Sequence, residues 1–294
     1  MRRAVPRLFL AAAVLAATAW AKGEIQDVKV GVSAVPKFPY WYPVAEDGSV
    51  QQPSDAAASA LTDPSAANWT GYLHSILESI CETAALNCQL VFYTELTDRI
   101  PLLQNGSVDF IVDTLSATDD RAQLVDFVYP GFYSAGVSLY TSPEQAAMLE
   151  AAGGWDGLTN LTVCVPEGYY ATEALQRQYG INVIETKIED AVQAVKGDTV
   201  SCTALAYDSA QPQLAKLGLP EASGIPPVLT TRYAIPVRKG DDELRRRLSA
   251  ALVELMQAGT RSPILEWEKQ YLLDNGVPPN AELEAVVKAI SYFQ

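Results

Sequence analysis

Short apolar runs of strand length alternate with helical stretches along most of this chain, and that alternation restricts it to an α/β fold. The runs are VKVGV (28–32), QLVFY (89–93), VDFIV (108–112), GVSLY (136–140), LTVCV (161–165), INVI (181–184) and CTALAY (202–207). Between them apolar residues recur at helical spacing, as in Tyr72, Leu73, Ile76, Leu77, Ile80 and Ala84, or Leu244, Leu248, Leu252, Leu255 and Met256. Arg245, Arg246 and Arg247 then read as the solvated side of that second helix. The stretch 45–67 is rich in Ala, Ser, Pro and Asp and has little to bury, so it is expected to be a surface loop. With 294 residues, 49% of them hydrophobic, the chain has core enough for one large domain or two of ordinary size.

Residues 1–21 join a basic head, Arg2, Arg3 and Arg7, to the apolar run LFLAAAVLAATAW, and Ala19 and Ala21 bracket Trp20 as a small-residue cleavage site. This is the pattern of a secretory signal peptide, with a mature chain starting near Lys22. The run falls short of the ~20 residues that a bilayer span needs. Secretion, to the cell exterior or the periplasm, is therefore expected. The formal charge of −14 becomes about −17 without the three arginines of the head. A body this acidic is repelled by nucleic acid and by anionic membranes, and neither is expected as a partner.

The four cysteines, Cys81, Cys88, Cys164 and Cys202, are even in number and in an exported setting, which favours disulfides. Of three connectivities, Cys81 with Cys88 and Cys164 with Cys202 is preferred, because the first pair is close in sequence and the second pair lies in strand-like runs. His74 is the only histidine, so no Cys/His metal cluster is expected, and no cofactor motif occurs. Three Asn-x-Ser/Thr sequons, at Asn68, Asn105 and Asn160, are candidate glycosylation sites if the host is eukaryotic.

The run LQNGSVDFIVDTLSATDDRAQLVDFVYP (103–130) carries the chemistry. Gly106 ends a helix, a strand follows, and Thr118 is the expected N-cap of a new helix with Asp119, Asp120 and Arg121 in its first turn. Unpaired backbone N–H groups at a helix start bind anions, and Arg121 adds a planar fork matched to a carboxylate. The two aspartates must point away for such a corner to work.

The same run resembles the signature of the family 3 extracellular solute-binding proteins, the polar amino-acid binders of bacterial transport. Gly106, Asp109, Ser116, Thr118, Arg121, Asp126, Phe127 and Pro130 match its G-x-x-D, strand, T-x-T-x-x-R and D-F-x-x-P order. Four further segments resemble the family in order: WTGYLHSILESICETA (69–84), also similar to the ligand-binding core of ionotropic glutamate receptors, GLTNLTVCVPEG (157–168), YAIPVRKGDDEL (233–244) and AGTRSPILEWEKQYL (258–272). The resemblance implies a two-lobed type II periplasmic-binding-protein-like fold, each lobe a mixed sheet flanked by helices. Lobe one would comprise 25–133, lobe two 134–230, and 231–294 would return to lobe one, with hinge crossovers near 131–138 and 228–235. It further implies that Arg121, helped by Ser116, Thr118 and Thr114, anchors a ligand's α-carboxylate, and that Asp208 takes the α-ammonium. Gly168 and Tyr169 would face the cleft, and Tyr40, in KFPYWYP, would cover the ligand.

Departures from the pattern are Thr114, where the family often has glycine, Leu96, near which it has an aromatic, and His74 and Ser75 in place of an aspartate pair. They leave the identity of the ligand's side chain open. The implied function is a monomeric binding protein for a small amino acid, working with a membrane transporter or receptor and lacking enzymatic activity. Two alternatives on the same fold are a secreted dehydratase of the prephenate or arogenate type, which needs a positioned acid or base in the cleft, and a soluble sensor module related to glutamate receptors.

Overall fold

The structure is a computed structural model that describes residues 25–47, 49–50, 61–197, 202–209, 211–257 and 262–292. The expected signal peptide lies outside the described residues. The chain opens with β1 (Gln26–Ser33), β2 (Tyr42–Val44) and β3 (Asn68–Thr70), then α1 (Tyr72–Thr83), β4 (Leu86–Tyr93), α2 (Arg99–Gln104), β5 (Phe110–Ile111), α3 (Asp119–Leu124) and β6 (Val125–Phe127). It continues through β7 (Tyr133–Tyr140), α4 (Pro143–Ala151), β8 (Thr162–Pro166), α5 (Thr172–Tyr179), β9 (Asn182–Thr186), α6 (Ile188–Lys196), β10 (Ala204–Asp208), α7 (Pro212–Lys216) and β11 (Val228–Tyr233). It closes with β12 (Pro236–Arg238), α8 (Asp242–Met256), α9 (Pro263–Trp267) and α10 (Ala281–Tyr292).

Two five-stranded mixed sheets result, in the orders β4-β1-β5-β12-β6 and β11-β7-β10-β8-β9. Parallel pairs (β1 with β4 and β5, β8 with β9 and β10) form where a helix lies between the strands, and antiparallel pairs form where the chain returns. Each sheet has its own core. Val28, Val30 and Val32 of β1 pack with Ile76 and Ile80 of α1 and Leu248 and Leu252 of α8; Val163 and Val165 of β8 pack with Leu175, Val192 and Leu205. Each such side chain contributes roughly 1.5–3 kcal/mol on full burial. The apolar faces expected for α1 and α8 are the buried ones.

Gly71 begins α1 with φ +115°, and a Cβ there would lie 2.6 Å from the Tyr40 carbonyl oxygen, so only glycine fits this corner. Disulfides join Cys81 to Cys88 and Cys164 to Cys202, the expected pairing. They tie α1 to β4 and β8 to the segment just before β10, and constrain the unfolded chain by roughly 2.5 and 4 kcal/mol on a chain-entropy model.

Several local expectations are corrected. Arg247 is more than a solvated side chain: its Nε and Nη2 donate to the Ala84 and Ala85 carbonyls at 2.5 and 2.9 Å, closing the end of α1. The segments expected as extended crossovers are extended, forming β7 and β11, which pair antiparallel as Arg232 with Ser134 and Tyr233 with Tyr133. Of the expected loop 45–67, residues 51–60 lie outside the described residues, while Pro64–Ala66 forms a short 3-10 turn pinned by the Trp69 indole N–H on the Pro64 carbonyl. Asn68, Asn105 and Asn160 are all exposed. No helix among the described residues is long and apolar enough to cross a membrane.

Candidate functional site

The carboxyl ends of β1 and β4, the loop after β5 and the start of α3 face the turn after β8 and the end of β10, and the buried charged side chains Arg99, Asp113 and Asp208 gather there. Thr118 caps α3 as expected, its Oγ accepting from the Arg121 N–H at 3.4 Å, and Asp119 and Asp120 are exposed. That hydroxyl is thus engaged by its own helix. Thr114 and Ser116 instead line a small cavity together with Arg99, Arg121, Tyr169 and Asp208.

Arg121 donates to two backbone carbonyls, Ser116 at 3.0 Å on its own side and Gly168 at 3.3 Å across the cleft. It has no carboxylate partner among the described residues. Burial lowers its pKa to about 10, so it remains a cation at neutral pH. Gly168 has φ +69°, and a Cβ there would meet Thr97 of the opposite side at 3.1 Å. A bare backbone at this point lets the two sides approach.

Asp208, at the end of β10, is buried, with Tyr233 donating to Oδ2 at 2.6 Å and Tyr169 to Oδ1 at 3.0 Å. No cation pairs with it at contact distance among the described residues. Burial pushes its carboxyl above the ordinary value, against the two tyrosine hydroxyls, which favour the ionised form. Arg121 on α3 and Asp208 at the end of β10 therefore present to one cavity a cation and a carboxylate that have no ionic partner among the described residues.

Tyr40 is placed differently from expectation. It is fully buried in the first core, edge-on to Tyr133 at 6.0 Å, and lines neither cavity of the cleft. Tyr133 stacks on Tyr233, so Tyr40 supports the Asp208 donor from two rings away. The aromatics that do line the small cavity are Tyr169, Tyr170 and Tyr207.

Sequence reasoning missed a buried ion cluster beside the cavity. Asp113, directly after β5, accepts from Lys37 Nζ at 2.6 Å, Arg99 Nη1 at 3.3 Å and Tyr93 Oη at 2.5 Å. Burial pushes its carboxyl up, but Lys37 and Arg99 outweigh this and hold it well below the usual carboxylate range. Burial likewise lowers Lys37, opposed by Asp113. The available signal was the sequence FIVDT, an acid at the end of an apolar strand, with Lys37 in the segment that supplied Tyr40.

The small cavity holds about 20 Å³, the space of one water, and adjoins through Leu96 and Tyr207 a larger one of about 390 Å³. Among the described residues, contacts that reach across the cleft include Arg121 to Gly168, Lys187 to Glu95 at 3.0 Å, and Lys216 over the Phe38 ring at 4.4 Å. Seating an amino acid at Arg121 and Asp208 thus requires the two sides to part and close again.

The family model for bacterial extracellular solute-binding proteins, family 3, matches residues 54–268. Among curated proteins the chain is 26% identical over 203 residues to the amino-acid-binding protein AabA of Dichelobacter nodosus, an alignment covering 65% of this chain and 76% of that protein. Among solved structures it superposes on the ancestral amino acid-binding protein AncCDT-1, a precursor of cyclohexadienyl dehydratase, with TM-score 0.64, 18% identity, and 84% and 95% of the two chains covered. It also superposes on the GluR0 ligand-binding core in complex with L-glutamate, with TM-score 0.61, 19% identity, and 85% and 100% covered. At these identities the two structures show the shared two-lobed fold.

Proposed function

The chain belongs to the bacterial extracellular solute-binding proteins, family 3, and from that membership we propose that it is an exported protein whose two lobes close around a small amino acid or related zwitterion. Lobe one would be built from 25–133 and 231–294, lobe two from 134–230, with β7 and β11 as the hinge. Arg121, assisted by Thr114 and Ser116, binds the α-carboxylate; Asp208 binds the α-ammonium, with Tyr169 and the Gly168 backbone closing over it. The observation that carries this reading is the pairing of Arg121 on α3 and Asp208 at the end of β10 in one cavity, each without an ionic partner among the described residues. A molecule bearing both charges bridges the lobes and stabilises the closed state through its better binding there. The protein then delivers its ligand to a membrane transporter or receptor.

One observation favours an enzyme as the second reading: Asp208 is a buried acid with a raised pKa in a cleft, as a dehydratase would require. The two differ in product. A thermal-shift screen of the chain from Lys22 onward, against the twenty amino acids and small organic acids and amines, should give a saturable rise following RT ln(1 + [L]/Kd) for the ligand, with no turnover of it. Absence of any shift with an amino acid contradicts the binding reading, and product formation selects the enzyme.

A further inference from the structure

The clamp accounts for a ligand's two α charges and leaves its side chain unassigned. Resting on that reading, we propose that the cleft takes an amino acid with a second carboxylate, an amino dicarboxylate of net charge −1, with Arg99 and Lys37 as the seat of the second anion.

Arg99, Arg121 and Asp208 line the small cavity, and Asp113 and Lys37 join them through the ion pairs Arg99–Asp113 and Lys37–Asp113, so that three cations stand against two carboxylates there. Four of them are almost wholly buried, Lys37 at 12%, Arg99 at 7%, Asp113 at 2% and Asp208 at 4% exposure. Asp113 serves two cations at once. A zwitterion places a carboxylate against Arg121 and an ammonium against Asp208 and adds nothing to the sum. One positive charge stays buried without compensation, an expensive arrangement. A second carboxylate brings the sum to zero, whereas a basic side chain adds a further like charge beside Arg99. Protonating Asp208 would only enlarge the excess.

Arg99 is placed for the task. Its Nε donates to the Leu96 carbonyl at 2.8 Å and its Nη1 to Asp113, while Nη2 has no partner among the described residues, and the residue lines the same cavity as Arg121. Among the described residues, none of the other acidic groups of the cleft lines the small cavity. Glu95, Glu167, Glu189 and Asp190 line the larger, outer cavity, as Lys37 does; Glu95 already pairs with Lys187, and Glu167 and Asp190 are exposed, where water and salt screen them.

Calorimetric titration of the chain from Lys22 onward with L-aspartate, L-glutamate, L-asparagine, L-glutamine, L-arginine and glutarate tests this. An acid should bind more tightly than its own amide by about tenfold or more, with arginine weaker still, because one interior charge is left unpaired by the amide and two by arginine. Asp113→Asn adds one positive charge and should widen the acid-to-amide ratio; Lys37→Met removes one and should bring it close to unity. A ratio of affinities is independent of the folded fraction, so loss of stability in either variant does not mask the result. Amides or arginine binding as tightly as the acids, a ratio that neither variant moves, or glutarate equal to glutamate would each overturn the proposal. A neutral or basic amino acid whose binding still needs Arg121 would leave the clamp standing and remove only the acidic specificity; no binding of any amino acid would remove both.

Discussion

Tyr233→Phe isolates the chemistry of the Asp208 carboxylate. Tyr233 is fully buried, its ring stacks on Tyr133 at 5.8 Å, and its hydroxyl donates to Asp208 at 2.6 Å, yet it lines neither cavity. Phenylalanine keeps the ring packing and removes one hydrogen bond to a charged group, worth roughly 1.5–3 kcal/mol. Since a pKa unit corresponds to about 1.4 kcal/mol, the Asp208 pKa, already raised by burial, should climb by about one to two units further. The sign follows from linkage. Folded Asp208 holds its proton more tightly than the unfolded chain does, so its contribution to stability is present at low pH and is lost as pH rises through the folded pKa. A bound ammonium favours the ionised carboxylate, so affinity rises with pH through that same pKa. Titrating ligand into both proteins across pH should show the rise displaced upward in the variant by about one to two units, with affinities below the midpoint weaker by about ten- to a hundred-fold. Superimposable pH profiles would refute the role given to Asp208 and its tyrosine donors.

Two further variants probe the scaffold. Gly168→Ala puts a side chain at φ +69°, with its Cβ 3.1 Å from Thr97 across the cleft, and should weaken ligand binding by about tenfold through incomplete closure, as read by calorimetry. Arg247→Ala removes the donors to the Ala84 and Ala85 carbonyls and should lower unfolding stability by about 1–3 kcal/mol in urea, with ligand affinity unchanged.

The framework was legible because it is written locally. Strand runs of β-branched residues and the apolar stripes of α1 and α8 carry their own period, and Thr118, Asp119, Asp120 and Arg121 announce a helix start within four residues. Cys81 and Cys88 are seven residues apart on consecutive elements. What escaped is written between distant segments. Lys37 meets Asp113 across 76 residues, and Arg247 reaches Ala84 across 163, so neither contact leaves a local pattern. The burial of Tyr40 depends on Tyr133 arriving from β7, which the short segment KFPYWYP does not reveal. The larger cavity is likewise a product of two sheets facing each other.

The clamp itself is tested most directly by Arg121→Ala with a ligand pair: the amino acid found in the screen and its decarboxylated amine, titrated into both proteins. Losing one partner of a buried charged contact typically costs about 2–5 kcal/mol. The variant should therefore bind the amino acid about thirty-fold to several-thousand-fold more weakly, while its affinity for the amine, which offers Arg121 no carboxylate, stays within about threefold of the parent's. Equal affinity of parent and variant for the amino acid, or an equal loss for acid and amine, would contradict the assignment of Arg121 as the carboxylate anchor.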